Sequence, residues 1–267
     1  EKMFTIMSKK NKKPNIVIGI FTFYLYKLLK YKNLDNINKW GNIVKDNIWK
    51  MIEKNFTISI LIPTFNDSEQ LKELLNHLLK QSIKPNEIII IDSSNNDLIK
   101  KLVNEFNFHK IKFIYKKILP SFAGKSINIG SNLSECKYIA FLDTKTIPDN
   151  NWIEYYMNVI IEKKINLLFG STKYISMNYY QHLLRASSYG SIGHETVPGT
   201  IIEKSLFLSE KGFNENVRSG YDIEWRNRIK SKSNWSSPVK SLIKYKYLPI
   251  DSVAIYVPGG TASFPST

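Results

Sequence analysis

The chain has a single cysteine, Cys136, in 267 residues. No intrachain disulfide can form, which points to a reducing compartment. Walker-type and Rossmann glycine loops are missing, so the common nucleotide cradles are excluded. The four histidines, His77, His109, His182 and His194, show no metal-ligand spacing. The apolar stretch Ile16–Leu29 is interrupted by Lys27 and falls short of the roughly 20 residues that a membrane-spanning helix needs. It has no small-residue cleavage site, which argues against a removed signal peptide. Carboxylates are few: 23 Asp and Glu face 38 Lys and Arg, a formal charge of +15. That balance suits phosphorylated substrates, an anionic membrane surface or nucleic acid. The lysines are spread throughout and no RNA- or DNA-binding motif accompanies them, so no nucleic-acid partner is expected. No internal repeat is present.

What is there divides into three parts. Residues 1–56 read as a basic and apolar helical extension: Lys9, Lys10, Lys12 and Lys13 precede Ile16–Leu29. An interfacial helix and a helix packed on the main domain both fit that segment. Residues 57–250 alternate strands and helices, the pattern of an α/β fold around a mostly parallel sheet. Residues 251–267 read as a polar tail. The chain begins at Glu1 rather than Met, which suggests a piece of a longer protein.

Within the central part, Ile58–Pro63 reads as a buried strand, followed by a helix with Leu71, Leu74, Leu75, Leu78 and Leu79 on one stripe. Asp67 reads as that helix's cap, with Gln70 as reciprocal partner. Glu87–Ile91 is a second strand ending in Asp92, and Leu98, Ile99, Leu102, Val103 and Phe106 form a second stripe. Lys110–Tyr115 reads as a third strand, and Gly124–Gly130 as a loop with a short helix. The strand Tyr138–Leu142 delivers Asp143, with a turn through Ile147–Asp149 and a helix from Trp152 to about Lys163. Asn166–Gly170 reads as a further strand. Ligands of open α/β sheets bind at the carboxyl ends of strands, so Asp92 and Asp143 are expected to be functional, while Asp67 and Asp97 read as caps. Tyr155, Tyr156, Tyr179 and Tyr180 read as core or rim.

These segments resemble the family 2 glycosyltransferases with the GT-A fold. The resemblance rests on Pro63-Thr64-Phe65-Asn66, on Asp92-Ser93-Ser94-Asn95-Asn96-Asp97, and on Gly124-Lys125-Ser126-Ile127-Asn128-Ile129-Gly130. It continues through Asp143-Thr144-Lys145, the turn Lys211-Gly212-Phe213-Asn214-Glu215, Ser219-Gly220-Tyr221-Asp222, and Arg228. It covers about Thr57 to Lys230 and implies an inverting, nucleotide-sugar-dependent transferase with a GT-A-like α/β domain. By that resemblance Pro63, Thr64, Phe65, Asn66 and Asp92 hold the donor's nucleoside, and Lys125 and Asn128 lie beneath the donor. Asp143 sits at its ribose and diphosphate, and Asp222 is the catalytic base. Thr200, Tyr221, Trp225 and Arg228 fall on the acceptor side.

The chain departs from the family at Lys145, where the second carboxylate of Asp-x-Asp is missing. That carboxylate helps hold a divalent metal, Mg²⁺ or Mn²⁺, against the diphosphate. Three readings stay open. Lys145 pairs with the diphosphate and transfer is metal-independent; or the site binds without turnover and serves as a scaffold; or Lys145 points to solvent and Asp143 alone recruits the metal. Milder departures are Tyr221 in place of a Glu, and Glu203 near a usual Arg or Lys. The expected partners are a nucleotide sugar and a glycan or lipid-linked acceptor, with peripheral membrane contact. The expected setting is polysaccharide or glycolipid assembly for the cell envelope, in the cytoplasm at the inner face of the membrane.

Overall fold

The computed structural model describes residues 56–106, 110–188, 192–238 and 241–246. The expected extension up to residue 55, the tail 251–267 and His109 lie outside the described residues. In chain order the elements are β1 (Ile58–Thr64), α1 (Ser68–Leu79), β2 (Glu87–Asp92), α2 (Leu98–Glu105), β3 (Lys112–Lys117) and α3 (Ala123–Leu133). Then come β4 (Tyr138–Phe141), β5 (Thr146–Pro148), α4 (Trp152–Lys163), β6 (Leu167–Ile175) and α5 (Tyr179–Ser188). The last are β7 (His194–Glu203), α6 (Lys204–Ser209), α7 (Tyr221–Lys230), β8 (Trp235–Ser236) and β9 (Ile243–Lys246).

One sheet runs in the order β3-β2-β1-β4-β7-β6-β9-β5, with β8 beside β6. The β3-β2-β1-β4 half is parallel. At β4·β7 and β6·β7 the pairing turns antiparallel. β1 leads to β2 on one side and has β4 on the other, so strand order reverses beside β1 and opens a crevice at its carboxyl end. Every residue of β2 and β4 is buried, as strands covered on both faces must be. β3, at the sheet's edge, alternates less cleanly and exposes Lys112, Lys116 and Lys117. Charged residues there discourage pairing with another chain.

Leu71, Leu74, Leu75 and Leu78 of α1 are buried as the stripe predicts. In α2 the buried face is Ile99, Leu102 and Val103, while Leu98 is half-exposed. β3 begins two residues later than expected, because its register is set by pairing Glu87 with Lys112. The Gly124–Gly130 segment is helix rather than loop. Its glycines let it pack closely: a side chain at Gly124 would crowd Asn214 O and Phe213 Cβ at 3.2 Å, and one at Gly130 would already touch Ile91 and Leu61 at 3.4 and 3.5 Å. The expected turn at Ile147–Asp149 begins instead as β5, held by β9 across Ile147↔Lys244. β6 runs to Ile175, well past Gly170, because β7 and β9 pair with its second half. The core at the centre of the sheet is aromatic. Trp225 lies 4.9 Å from Phe213 and 5.9 Å from both Phe141 and Phe207, ring centre to ring centre. Among the described residues no helix is long and apolar enough to cross a membrane.

Candidate active site

The site is built where β1, β2 and β4 end. Residues Thr64–Asn66 are stapled to the loop after β2. Ser93 N donates to Thr64 O at 3.0 Å, and Asn66 N donates to Ser94 Oγ at 2.7 Å. Asn66 Oδ1 accepts from Asn96 Nδ2 at 3.1 Å. Asn66 adopts φ 58°, a left-handed conformation that Asn tolerates better than most residues. Pro63 is partly buried, Thr64 is buried and Phe65 is half-exposed at the rim.

Asp92 departs from its expected role. It is fully buried and its carboxylate is already engaged. Oδ1 accepts from Ser94 N at 2.9 Å and Thr64 Oγ1 at 3.4 Å; Oδ2 accepts from Tyr115 Oη at 2.7 Å and Lys117 Nζ at 3.1 Å. Burial pushes its pKa up, but the bonds from Ser94, Tyr115 and Lys117 outweigh it and hold the group below the usual carboxylate range. With these four contacts Asp92 braces the end of β1 and the loop after β2. Asn128 is likewise engaged by the protein. Its Nδ2 donates to Phe213 O at 2.8 Å and to Glu215 Oε1 at 3.0 Å, and its Oδ1 accepts from Phe213 N at 2.9 Å. It pins the 211–215 turn to α3, and Lys125, one turn earlier, is exposed.

Asp67 was read as a cap. It occupies that position, but its side chain makes no capping bond. It accepts instead from Phe65 N at 3.0 Å and from Thr144 Oγ1, which ties the end of β1 to the Asp143 turn. Burial raises its pKa against the Thr144 and Phe65 bonds, and the charge of Asp143 adds to the rise. Asp143 Oδ1 accepts from Lys145 N at 3.0 Å and Thr144 Oγ1 at 3.5 Å. Its Oδ2 has no hydrogen bond to a described residue. Lys145, partly buried, lines a cavity of about 280 Å³ together with Glu69, Gln70 and Glu73 of α1, Thr144, Thr146 and Ile147. Its ammonium makes no ion pair among the described residues.

Asp222 stands in the first turn of α7, after Gly220 at φ 80°. A side chain at Gly220 would meet nothing within 4 Å, so glycine is there for the backbone angle and not for space. Asp222 Oδ2 lies 3.7 Å from Arg226 Nη2. Arg226 in turn lies against Glu195, with Nη1 3.5 Å from Oε1. Next to Asp222, Tyr221 is partly buried and edge-on to Phe213 at 5.2 Å. Its hydroxyl is pushed up to about 12 by burial, then by the charges of Asp143 and Asp222.

Tyr245 of β9 completes the cluster and was not singled out in the sequence. It pairs with Thr146 on one side and Tyr174 on the other, and its ring lies 5.4 Å from that of Tyr174. Burial raises its pKa, with Asp143, Tyr174, Tyr221 and Asp67 adding to the rise in that order. No local signal marks Tyr245, because β9 reaches the site only through strand pairing.

Three acceptor-side expectations meet a different structure. Thr200 is fully buried: it donates to Thr196 O and accepts from Gly170 N, both at 2.9 Å, and so fixes the irregular β6·β7 register. Trp225 is fully buried among Phe141, Phe207 and Phe213 and presents no ring face to a ligand. Arg228 turns to Gly212 O at 2.7 Å, to Glu210 O and to Glu224 at 2.7 Å. Tyr221 alone of the four reaches the carboxylate cluster.

The residues fit a protein-built metal clamp poorly. Among the described residues no three His, Cys, Asp or Glu side chains are placed to hold a metal. Asp143 has one uncommitted oxygen, both oxygens of Asp67 are engaged, and an ammonium stands at position 145.

Comparison with known proteins decides the family. The model of Glycosyl transferase family 2 matches residues 59–222. The chain belongs to that family. An uncharacterized glycosyltransferase of Rickettsia conorii is 27% identical over 226 residues, 80% of this chain and 35% of that protein. The chain thus spans about a third of the length of its Rickettsia relatives. The UDP-Glc:alpha-D-GlcNAc-diphosphoundecaprenol beta-1,3-glucosyltransferase WfgD of Escherichia coli is 24% identical over 124 residues, 46% of this chain and 49% of that protein. Among solved structures, residues 1–349 of Staphylococcus aureus TarS in complex with UDP-GlcNAc superpose with a TM-score of 0.60 at 19% identity, covering 75% of this chain and 62% of that one. The likeness is one of fold, and it makes this glycosyltransferase domain a GT-A-like α/β structure.

Proposed function

We propose that this family 2 domain transfers a sugar from a nucleotide-sugar donor to a glycan or lipid-linked acceptor, with inversion, and that Asp222 is the general base. The observation that carries the reading is the position of Asp222. It opens α7 beside Tyr221, whose hydroxyl feels both Asp222 and Asp143. In the step, the acceptor oxygen attacks the anomeric carbon. The bond from that carbon to the diphosphate breaks, its electron pair leaves with the nucleoside diphosphate, and the acceptor proton passes to the Asp222 carboxylate. Asp143, with a free oxygen, faces the ribose and diphosphate end of the donor. Pro63, Thr64, Phe65 and Asn66 frame the nucleoside.

Negative charge on the departing diphosphate needs compensation. The described donor set fits a metal poorly, so the protein's own groups are assigned this compensation. We assign the phenols of Tyr221 and Tyr245, both close enough to feel the charge of Asp143, as O–H donors to the departing diphosphate. Lys145 supplies positive potential from the cavity wall it shares with Glu69 and Glu73. A UDP-sugar donor and an acceptor on a lipid diphosphate are supported by the likeness to WfgD. An acceptor of that kind sits at the inner face of the cytoplasmic membrane, in cell-envelope polysaccharide assembly. Lys145 favours a second reading, a degenerate domain that binds nucleotide sugar as a scaffold.

The test is donor turnover across a panel of nucleotide sugars, with EDTA or with added Mn²⁺, in wild type, Asp222→Asn and Glu224→Gln. Loss of a positioned base costs roughly 10²–10⁴-fold, so Asp222→Asn is expected to lose transfer by that factor. Glu224, held by Arg228, is expected to be replaceable. Activity that survives EDTA supports charge compensation by the protein, and metal-dependent activity returns Asp143 to a metal role. Donor binding without turnover, in the presence of lipid-linked and soluble acceptors, supports the scaffold.

A further inference from the structure

Among its described residues, the helix α5 shows no buried side chain of the kind that holds a short helix in place. A helix of its length is marginal in water and is normally kept by packing one face. Yet none of its described side chains is buried. Five described apolar and aromatic side chains of this segment face outward: Met177 is 68% exposed, Tyr179 70%, Tyr180 77%, Leu183 48% and Ile192 68%. Tyr179 and Leu183 are four residues apart, and Tyr180 and Leu183 three, so the three share one side of the helix. A contiguous exposed apolar patch marks a docking surface.

Charge selects what docks there. Between Lys164 and Glu195 the sequence has Lys173 and Arg185 and no Asp or Glu. Lys173 is exposed, and Arg185 Nη2 meets His182 Nδ1 at 3.1 Å rather than a carboxylate. Across the strand pairing Glu195 stands opposite Ser171, but it is engaged by Lys230 and Ser237. Tyrosine rings with polar tips and aliphatic side chains, flanked along the chain by two cations, match a lipid headgroup layer. The alternative of a second copy is disfavoured by the same charges. A two-fold interface sets a patch against itself, and here it would bring Lys173 and Arg185 toward their own kind on molecules of formal charge +15.

We propose that α5 and its flanks are the surface by which this protein lies on an anionic membrane, with Tyr179, Tyr180 and Leu183 entering the headgroup region and Lys173 and Arg185 meeting lipid phosphates. The proposal deepens the reading of a lipid-linked acceptor and rests on it for its purpose, though not for its test. Tyr179, Tyr180 and Leu183 are outside the donor and base machinery, so serine at all three leaves the site intact.

The experiment is flotation of the full chain with vesicles of phosphatidylcholine alone, or with phosphatidylglycerol added, at low and high salt. It compares wild type, the triple variant Tyr179→Ser/Tyr180→Ser/Leu183→Ser, and the control Leu98→Ser on α2. Analytical ultracentrifugation and UDP binding are followed alongside. Wild type and Leu98→Ser are expected to float with the anionic vesicles and to be released by salt, and the triple variant to bind roughly tenfold or more weakly. UDP binding is expected to be equal in all three. A wild type that ignores anionic vesicles overturns the proposal. So does a triple variant that floats like wild type, or a wild-type dimer that the triple variant dissociates. Absence of UDP binding in every form counts against the transferase reading and leaves the membrane result to stand separately.

Discussion

At the scale of single residues, the chemistry gathers where three carboxylates and two phenols converge: Asp67, Asp143 and Asp222 with Tyr221 and Tyr245. The positions of Asp143 just after β4 and of Asp222 in the first turn of α7 were legible, because each follows a recognisable run of residues. Asp67 was legible as a helix cap but not as a neighbour of Asp143, since its partner Thr144 lies 77 residues away. Tyr245 was silent, because a tyrosine in a short strand has no signature until the strand is placed. Removing a preorganised donor from a site of developing charge costs about 10²-fold or more. Tyr245→Phe is expected to lower kcat by roughly that factor with donor KM little changed, as steady-state kinetics would show. Unchanged kcat would remove Tyr245 from the charge-compensation role. At Asp92 the four donors predict a structural phenotype. Tyr115→Phe deletes a hydrogen bond to an ionised carboxylate, a loss of about 1.5–3 kcal/mol. The Asp92 carboxyl is held below its ordinary value of 3.8, so that loss is complete above this value. It disappears as pH falls through the folded-state pKa, which paired urea titrations of the two proteins would show.

At the scale of elements, α3 and the 211–215 turn behave as one piece. Asn128 closes three hydrogen bonds onto that turn. A side chain at Gly124 would lie 3.2 Å from Asn214 O and from Phe213 Cβ. The turn leads into α7 and Asp222, so a carboxamide on α3 helps set where that carboxylate stands. Asn128→Ala leaves the Phe213 amide without its acceptor and is expected to cost about 1–3 kcal/mol, measured by chemical denaturation. Transfer is expected to fall further than the folded fraction does. Equal loss of activity and folded protein would confine Asn128 to stability. Gly124 and Gly130 read as loop punctuation in the sequence, yet both are places where a helix approaches its neighbours closely. The same difficulty hid β5. Three residues with a proline look like a turn, and only pairing with β9 makes them a strand. The helices α1 and α4 were legible to within a residue because their buried stripes are long and periodic.

At the scale of the whole molecule, stability is coupled to acid through carboxylates on different elements. Burial pushes Asp92, Glu87 and Glu195 up, and in each the hydrogen bonds outweigh it. Those bonds come from Ser94, Tyr115 and Lys117 for Asp92, from Ser59, the Glu135 amide and Lys112 for Glu87, and from Lys230 and Ser237 for Glu195. All three are held below their ordinary values of 3.8 and 4.5. Their stabilisation is therefore present above those values and is lost as pH falls through the folded-state ones. Asp67, raised above 3.8, acts oppositely: its contribution is present at low pH and fades as pH rises toward its folded value. Three against one, the urea midpoint is expected to hold steady from about pH 8 to pH 6 and to drop below about pH 4.5. A midpoint that rises on acidification would contradict this balance. The sheet order has a further consequence, for the way the protein is made. The parallel half, from β1 to β4, is encoded first and has its partners early. The wall that carries Tyr245 belongs to the last described strand, and Lys244 grips Asp149 across 95 residues of chain. Synthesis proceeds from the amino terminus and domains condense as their segments emerge. A ribosome-bound chain that stops short of Ile243 thus holds Asp222 and Asp143 with one wall of the cluster still unmade. Assembly of this cluster of carboxylates and phenols therefore waits until β9 has left the ribosome.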